Sequence, residues 1–409
     1  MTKKRTNTKL NKGNGEIHVV NLNSYTRPEI IEQYNKDYVE YGEDNDYFQY
    51  LIDRYNGSPT NNAAINGISE MIYGKGIEAV ESEDKPEAYK QMKELFKKHI
   101  MKRICYDYKM MGQAALQIIY SKDRSKIVQI EHIAVESLRA EKAGKDGLVK
   151  AYYYAKDWKE VKSNTKVRRI PAFGMSNSGL EILYIRPYKA GFYYYAPVDY
   201  QGGLQYAELE EEIANYHINN IQNGLAPSML INFNNGVPPD DQRERIEHRI
   251  KEKFSGSSNA GRFILAFNDS KELAANIEPV ILSDAHEQYK FLSDESMRKV
   301  MVSHRIVSPM LVGIKDNTGL GNNAEELQTA SILMDNTVIR PMQVTILDEL
   351  EKILEYNDIE LDIYFKTLQP LEFTDLTNAL TDAEVEKETG IKKEEEQEEQ
   401  QDTEQEIEE

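Results

Sequence analysis

Cysteine is nearly absent from this 409-residue chain, where Cys105 stands alone. That excludes internal disulfides and any metal site built on thiolates, and the apolar helical setting of Cys105 reads as a core thiol. Long hydrophobic runs are absent too. No apolar stretch approaches the roughly 20 residues that span a bilayer, and the N-terminus has no apolar signal core. A soluble protein made in a cytoplasm, with no membrane partner, is expected. Positive charge is in short supply: the formal net charge is −19. Tight nucleic-acid binding rests on neutralising phosphates and is disfavoured, although a passage in which nucleic acid slides without sticking is not.

Recognisable chemistry is also lacking. The sequence YGKGIE at 73–78 lacks the spacing of a phosphate-binding loop and reads as a helix C-cap turn. FGMSNSG at 173–179 is not a nucleophile elbow and reads as a surface turn. The seven histidines include no pair at metal-ligand spacing; His217, His286 and His304 fall on helices, where surface or interface roles suffice. Acids are too many for a catalytic pair to stand out. Arg243, Arg245, Arg249, Lys251 and Lys253 alternate with acids, as on a solvated helix, and no zinc finger, RNA-recognition motif or basic helix is present. No catalytic residue, cofactor or metal ligand is nominated, and an enzyme is not expected.

What is present is an α+β pattern. Residues 382–409 hold 14 acids and 3 lysines, a basic run from Lys3 to Lys12 opens the chain, and both ends read as unstructured by composition. Thr26–Tyr73 reads as helix in pieces, with Asn61 or Asn62 as a cap. Lys85–Met111 reads as one helix, because Tyr89, Met92, Leu95, Phe96, His99, Ile100, Ile104 and Tyr108 recur at steps of three and four. Gly112 ends it. Six β-like runs follow as far as Arg186, and a Tyr-rich connector, 186–206, packs either on its own core or on a neighbour.

Leu204–Gln222 is a helix with an apolar stripe at Tyr206, Leu209, Ile213, Tyr216 and Ile221. A small strand–helix–strand–strand unit comes next, its helix Gln242–Phe254 carrying Ile246, Ile250 and Phe254 as a single apolar line. So thin a core is marginal alone. A long helix, Ser283–Val307, returns. Pro309 stops helix, and Gly313, Gly319 and Gly321 permit turns before a second long helix that Asn322 or Asn323 can cap. Asp358–Phe365 reads as a late strand and Asp375–Thr389 as a short helix.

The ordered series YYYAPVDYQGG, IQNGLAPSMLINF, NNGVPPDD, SSNAGRFILAF, SHRIVSPMLVGIKDNTGLGNNAEEL and IRPMQVTILDELEKIL resembles portal proteins of tailed double-stranded DNA phages. The likeness is good over 190–356 and loose before it. It implies a dodecameric ring of protomers, each with an α+β wing (25–203), two stem helices (204–223 and 283–307) and a small α/β clip (224–282). A tunnel loop (308–324) and wing or crown helices with a late strand (325–381) complete the protomer, between the basic N-terminus (1–24) and the acidic tail (382–409). The crown is short for the family. Lys315, Asp316, Asn317, Thr318 and Gly319 would face the DNA channel, and Ile246, Ile250, Phe254, Leu209, Ile213 and Tyr216 would form the clip and stem interface. The implied partners are the major capsid protein, the terminase large subunit, a head–tail adaptor and double-stranded DNA, at a capsid vertex of a virion assembled in the host cytoplasm. Two other readings compete: an enzyme acting on nucleic acid or polysaccharide with a site in the β-rich region 112–186, and a helical adaptor or scaffold that forms no ring.

Overall fold

The computed structural model describes residues 28–162, 165–223, 229–233, 238–239, 242, 245–246, 263–267, 285–314 and 323–368, with backbone only at 219–223, 229–233, 263–267, 285–288 and 323–326. Several expectations lie outside the described residues: the basic N-terminus, Lys315 to Asn322 with Gly319 and Gly321, most of the Gln242–Phe254 helix, the strand at 276–282, the helix at 375–389 and the acidic tail.

The fold is α+β. An antiparallel hairpin, β1 (Ile30–Glu32) and β2 (Val39–Tyr41), opens it, where helix was expected. Burial explains the hairpin: Val39 and Tyr41 are inaccessible, and Tyr41 stacks on Tyr195 with ring centroids 4.5 Å apart. Helices α1 (Tyr47–Gly57) and α2 (Pro59–Tyr73) follow. Ser58, not Asn61 or Asn62, caps α2, its Oγ accepting from Asn61 N at 3.1 Å, while Pro59 at the first helical position loses no bond. Gly74 closes α2, as the YGKGIE reading requires, and leads into β3 (Ile77–Ala79).

The expected single helix 85–111 is two, α3 (Pro86–Leu95) and α4 (Lys98–Met111). Phe96 and Lys97 leave helical geometry, with ψ of 62° and 139°. The bend lets Leu95 and Phe96 enter the same core as Ile100 and Ile104, so tertiary burial overrides a sequence with no breaker. Gly112 ends α4 at φ +73°, and a Cβ there would also lie 2.9 Å from the Pro197 carbonyl.

Strands β4 (Ala114–Tyr120), β5 (Ile127–His132), β6 (Leu138–Ala140), β7 (Ala151–Tyr154), β8 (Arg168–Pro171) and β9 (Leu180–Ile185) occupy the six expected runs. They form two antiparallel sheets, ordered β5-β4-β9 and β6-β7-β8. Successive side chains of a strand point to opposite faces. Leu116, Ile118, Leu183 and Ile185 therefore enter one core with α2, α3 and α4, while Ala115, Ile182 and Tyr184 enter a second with β2, β6 and α1. The Tyr-rich connector seals the second core from its own chain: Tyr195 Oη donates to Val39 O at 2.5 Å and accepts from Ala140 N at 3.0 Å.

Beyond the connector, α5 (Leu204–Asn223) rises, a parallel pair β10 (Met229–Phe233) and β11 (Phe263–Phe267) lies between, and α6 (Ala285–Ser303) returns. α6 stops before the expected Val307. Ile306 N bonds Met301 O and Arg305 N bonds Val302 O, a Schellman ending with Arg305 left-handed at φ +59°. The last long helix is α7 (Asn323–Met334), one π-helical segment Asp335–Ile339, and α8 (Arg340–Tyr356). Pro341 is the reason: it has no N–H to give Thr337 O, and its ring would clash with that carbonyl. The late strand is shorter than expected, β12 (Ile363–Phe365), paired antiparallel with β3.

We expect Tyr195→Phe to strand two buried backbone groups and cost about 1–3 kcal/mol in urea unfolding. An unchanged midpoint would show that the connector does not hold the second core.

Candidate functional site at the root of the two-helix neck

Helices α5 and α6 run antiparallel as a neck. At its root an added Cβ on Gly203 would lie 2.0 Å from Ser303 Oγ, so glycine permits the close approach. Further out Tyr216 stacks on Tyr289 at 4.4 Å, with His217 edge-on to the same ring at 5.6 Å.

A charge cluster joins this neck to the body. Lys109, the last-turn lysine of α4, has no solvent access; its Nζ donates to both Asp199 oxygens at 2.9 and 3.0 Å and sits 5.1 Å from the Tyr200 ring centre. Burial pulls the Lys109 ammonium below its ordinary range, and Asp199 opposes that pull. The geometry, bidentate and charge-assisted, is that of an ion pair. Arg305 reaches Asp199 at 3.6 Å and donates to Thr337 O, in the π-helical segment, at 3.4 Å. These contacts hold a non-glycine residue in the left-handed region.

His304 is wholly buried beneath this cluster, not at the helix surface that its sequence position suggested. Its ring stacks on Tyr200 at 4.3 Å, and its Nε2 meets Asn61 Oδ1 at 2.8 Å. Burial first, and Lys109 second, hold it well below the usual histidine range, so it is neutral and donates through Nε2. Three acids of α5 complete the joint. Glu210 accepts from Ser58 Oγ and, at 2.7 Å, from Thr60 Oγ1 at the start of α2, where a carboxylate suits the helix dipole. Arg54 pairs with Glu208 at 3.5 Å and Glu211 at 3.0 Å.

Of the stem residues named from sequence, Ile213 is buried, Leu209 is half-buried, and Tyr216 is 41% exposed and stacked on Tyr289. Ile246 is half-buried. Ile250, Phe254, Lys315, Asp316, Asn317, Thr318 and Gly319 lie outside the described residues. Sequence reading missed the exposed neck residues Ile218, Phe291 and Val302, which are 51%, 66% and 64% accessible.

In the β-rich region, Ser176 of FGMSNSG donates to Glu181 at 3.0 Å. Glu181 also takes Tyr120 Oη at 2.7 Å and Gly174 N at 2.8 Å, so this buried carboxylate anchors a turn. His132 meets Asp107 at 2.7 Å, but among the described residues no hydroxyl or thiol donates to His132. Among them no cluster of three metal-ligating side chains occurs, and no helix is long and apolar enough to cross a membrane.

No family model matches the chain. Its structure is similar to a chain in the neck of an empty gene transfer agent (GTA) particle computed with C6 symmetry, at a TM-score of 0.53 and 15% identity, covering 84% of this chain and 89% of that one. A chain from the neck of the native GTA particle, computed with C12 symmetry, aligns at 0.52 and 15% identity with the same coverage. A phage portal protein of the HK97 family from Corynebacterium diphtheriae aligns at 0.45 and 11% identity, covering 81% of this chain and 98% of that one, and carries no weight below. Two curated relatives are uncharacterized proteins: one from Rickettsia felis, 29% identical over 181 residues, and one from Rickettsia bellii, 25% identical over 178. Those matches span 41% and 43% of this chain and only 44% and 43% of the relatives. At these identities the structures show the fold alone, and it is similar to that of the GTA neck chains.

We expect Asp199→Ala, which leaves Lys109 buried without its carboxylate, to cost about 3–5 kcal/mol by chemical denaturation; a loss below about 1 kcal/mol, the range of exposed pairs, would mean that the pair is solvated. His304 supplies a pH test. Its folded-state pKa is depressed, so its share of stability is present above the unfolded value near 6.5 and is lost as pH falls below it. The wild-type melting temperature should drop more steeply between pH 7 and 5 than that of His304→Gln, and parallel profiles would contradict the assignment.

Proposed function

We propose that this chain is the protomer of a portal ring at one vertex of a phage-type capsid. The ring would be the channel through which double-stranded DNA enters and leaves the head, and the platform on which a packaging terminase and later a head–tail adaptor dock. The observation that carries this reading is the neck: α5 and α6 rise together from a two-core body with a small β unit inserted between them, within the fold of a particle-neck chain. Exposed Ile218, Phe291 and Val302 support it, since large apolar residues on a stem call for a covering neighbour.

On this reading residues 25–203 are the wing, 204–223 and 283–307 the stem, 224–282 the clip, 308–324 the tunnel loop and 325–381 the wing or crown helices. Ile246, Ile250 and Phe254 of the clip, with Leu209, Ile213 and Tyr216 of the stem, contribute to burial between subunits. Lys315, Asp316, Asn317, Thr318 and Gly319 meet passing DNA without holding it, because Asp316 offsets the single cation. The role is structural, in a virion vertex assembled in the host cytoplasm.

Light scattering on purified protein tests the reading. The full chain should behave as a large closed oligomer, and Ile246→Asp with Ile250→Asp should shift it to small species while circular dichroism keeps the body's signal. A full chain that is monomeric at every concentration would favour the non-ring adaptor.

A further inference from the structure

The amino-terminal half of α4 gathers cations in a chain that is otherwise short of them. Between Glu94 and Asp107 stand Lys97, Lys98, Lys102 and Arg103, with His99 among them and no acid. All five are exposed, while Ile100, Met101 and Ile104 on the other side of the helix are buried. Lys98 and Lys102, like His99 and Arg103, are one helical turn apart, about 5–6 Å between Cβ atoms. Lysines flanking α3 are already paired, Lys85 with Glu360 at 3.8 Å and Lys93 with Glu78 at 2.8 Å. Among the described residues no carboxylate pairs with any of the five. Asp107, one turn beyond Arg103, takes His132 at 2.7 Å, and exposed Glu94 stays apart from them. Lys102 holds its ammonium 5.3 Å from the Tyr73 ring centre, a contact that does not neutralise it.

The fold gains nothing from this arrangement. Lys97 is the N-cap residue of α4 yet makes no side-chain cap bond. The positive end of the helix dipole repels cations in the first turn, and neighbouring like charges repel one another. A cluster placed against local preference suits a partner that brings negative charge. None of the large apolar side chains exposed to solvent lies on α3 or α4, so the patch offers no platform for stacked bases and no wedge for a bilayer. A row of ammonium and guanidinium groups on long side chains fits a phosphodiester backbone. We propose that this face of α4 contacts the phosphates of duplex DNA from the solvent-facing surface of the body and reads no sequence. With a net charge of −19 on the whole chain, the contact is weak and is lost in moderate salt. It is separate from the channel contact proposed above and does not depend on ring formation.

Binding of the full chain to covalently closed circular duplex DNA tests it, since a closed circle cannot thread a ring. Neutralising four phosphates gives a log–log salt slope of about −3.6, a roughly hundredfold loss of affinity between about 50 and 200 mM salt. Lys98→Gln should reduce the magnitude of that slope by about one. Lys97→Asp combined with Lys98→Glu, Lys102→Glu and Arg103→Glu should weaken binding at low salt at least about tenfold. That variant puts acids at the cap and in the first turn, where the helix prefers them, so its melting temperature should hold or rise and lost binding is not lost folding. No binding by the unaltered chain at low salt would overturn the proposal. So would binding that the four substitutions leave unchanged, or a slope that Lys98→Gln does not move. A polyglutamate peptide that binds as tightly as the circle and displaces it would overturn it in favour of an acidic protein segment.

Discussion

The orientation of the neck depends on a lysine that water cannot reach. Lys109 belongs to α4, which both cores share; Asp199 belongs to the tyrosine-rich connector; Arg305 ends α6. An ammonium buried without a partner would deprotonate or draw water in, so the connector must bring Asp199 to it. Asp199 in turn pairs with Arg305, and Arg305 donates to the Thr337 carbonyl in the π-helical segment before Pro341. One ion pair thus ties α4, the connector, α6 and the α7–α8 helix at a single point. The clamp of α5 acids on Arg54, Ser58 and Thr60 holds the neck from its other side.

A neck of two helices meets the body only at its root, so the contacts there decide how firmly the two are joined. There the structure places buried charge, stacked Tyr200 and His304, and a glycine that admits Ser303, in place of a flexible linker.

Much of this was legible in the sequence where the signal is local. Period-two runs marked β4 to β9, and a period near 3.6 with Asn-Gly at the end marked α5. Gly112 and Gly74 marked helix ends. Where reading failed, a distant contact had overridden local preference. Phe96 breaks a good helix to enter the first core, and Val39 and Tyr41 make a hairpin because the second core takes them. The root of the neck was illegible for the same reason. His304 and Asn61 stand 243 positions apart, and Lys109 and Asp199 stand 90 apart. No spacing rule links them, and a lone lysine in an amphipathic helix looks solvated until the fold buries it.

The portal reading stands or falls on closure into a ring, which a protomer's fold permits but does not by itself impose. Single-particle electron microscopy of the purified full chain tests it most directly. The portal reading predicts closed rings with a central hole wide enough for duplex DNA, the paired α5 and α6 lining its wall and the two-core body on the outside. Discrete monomers, or open filaments with no axial hole, would contradict it.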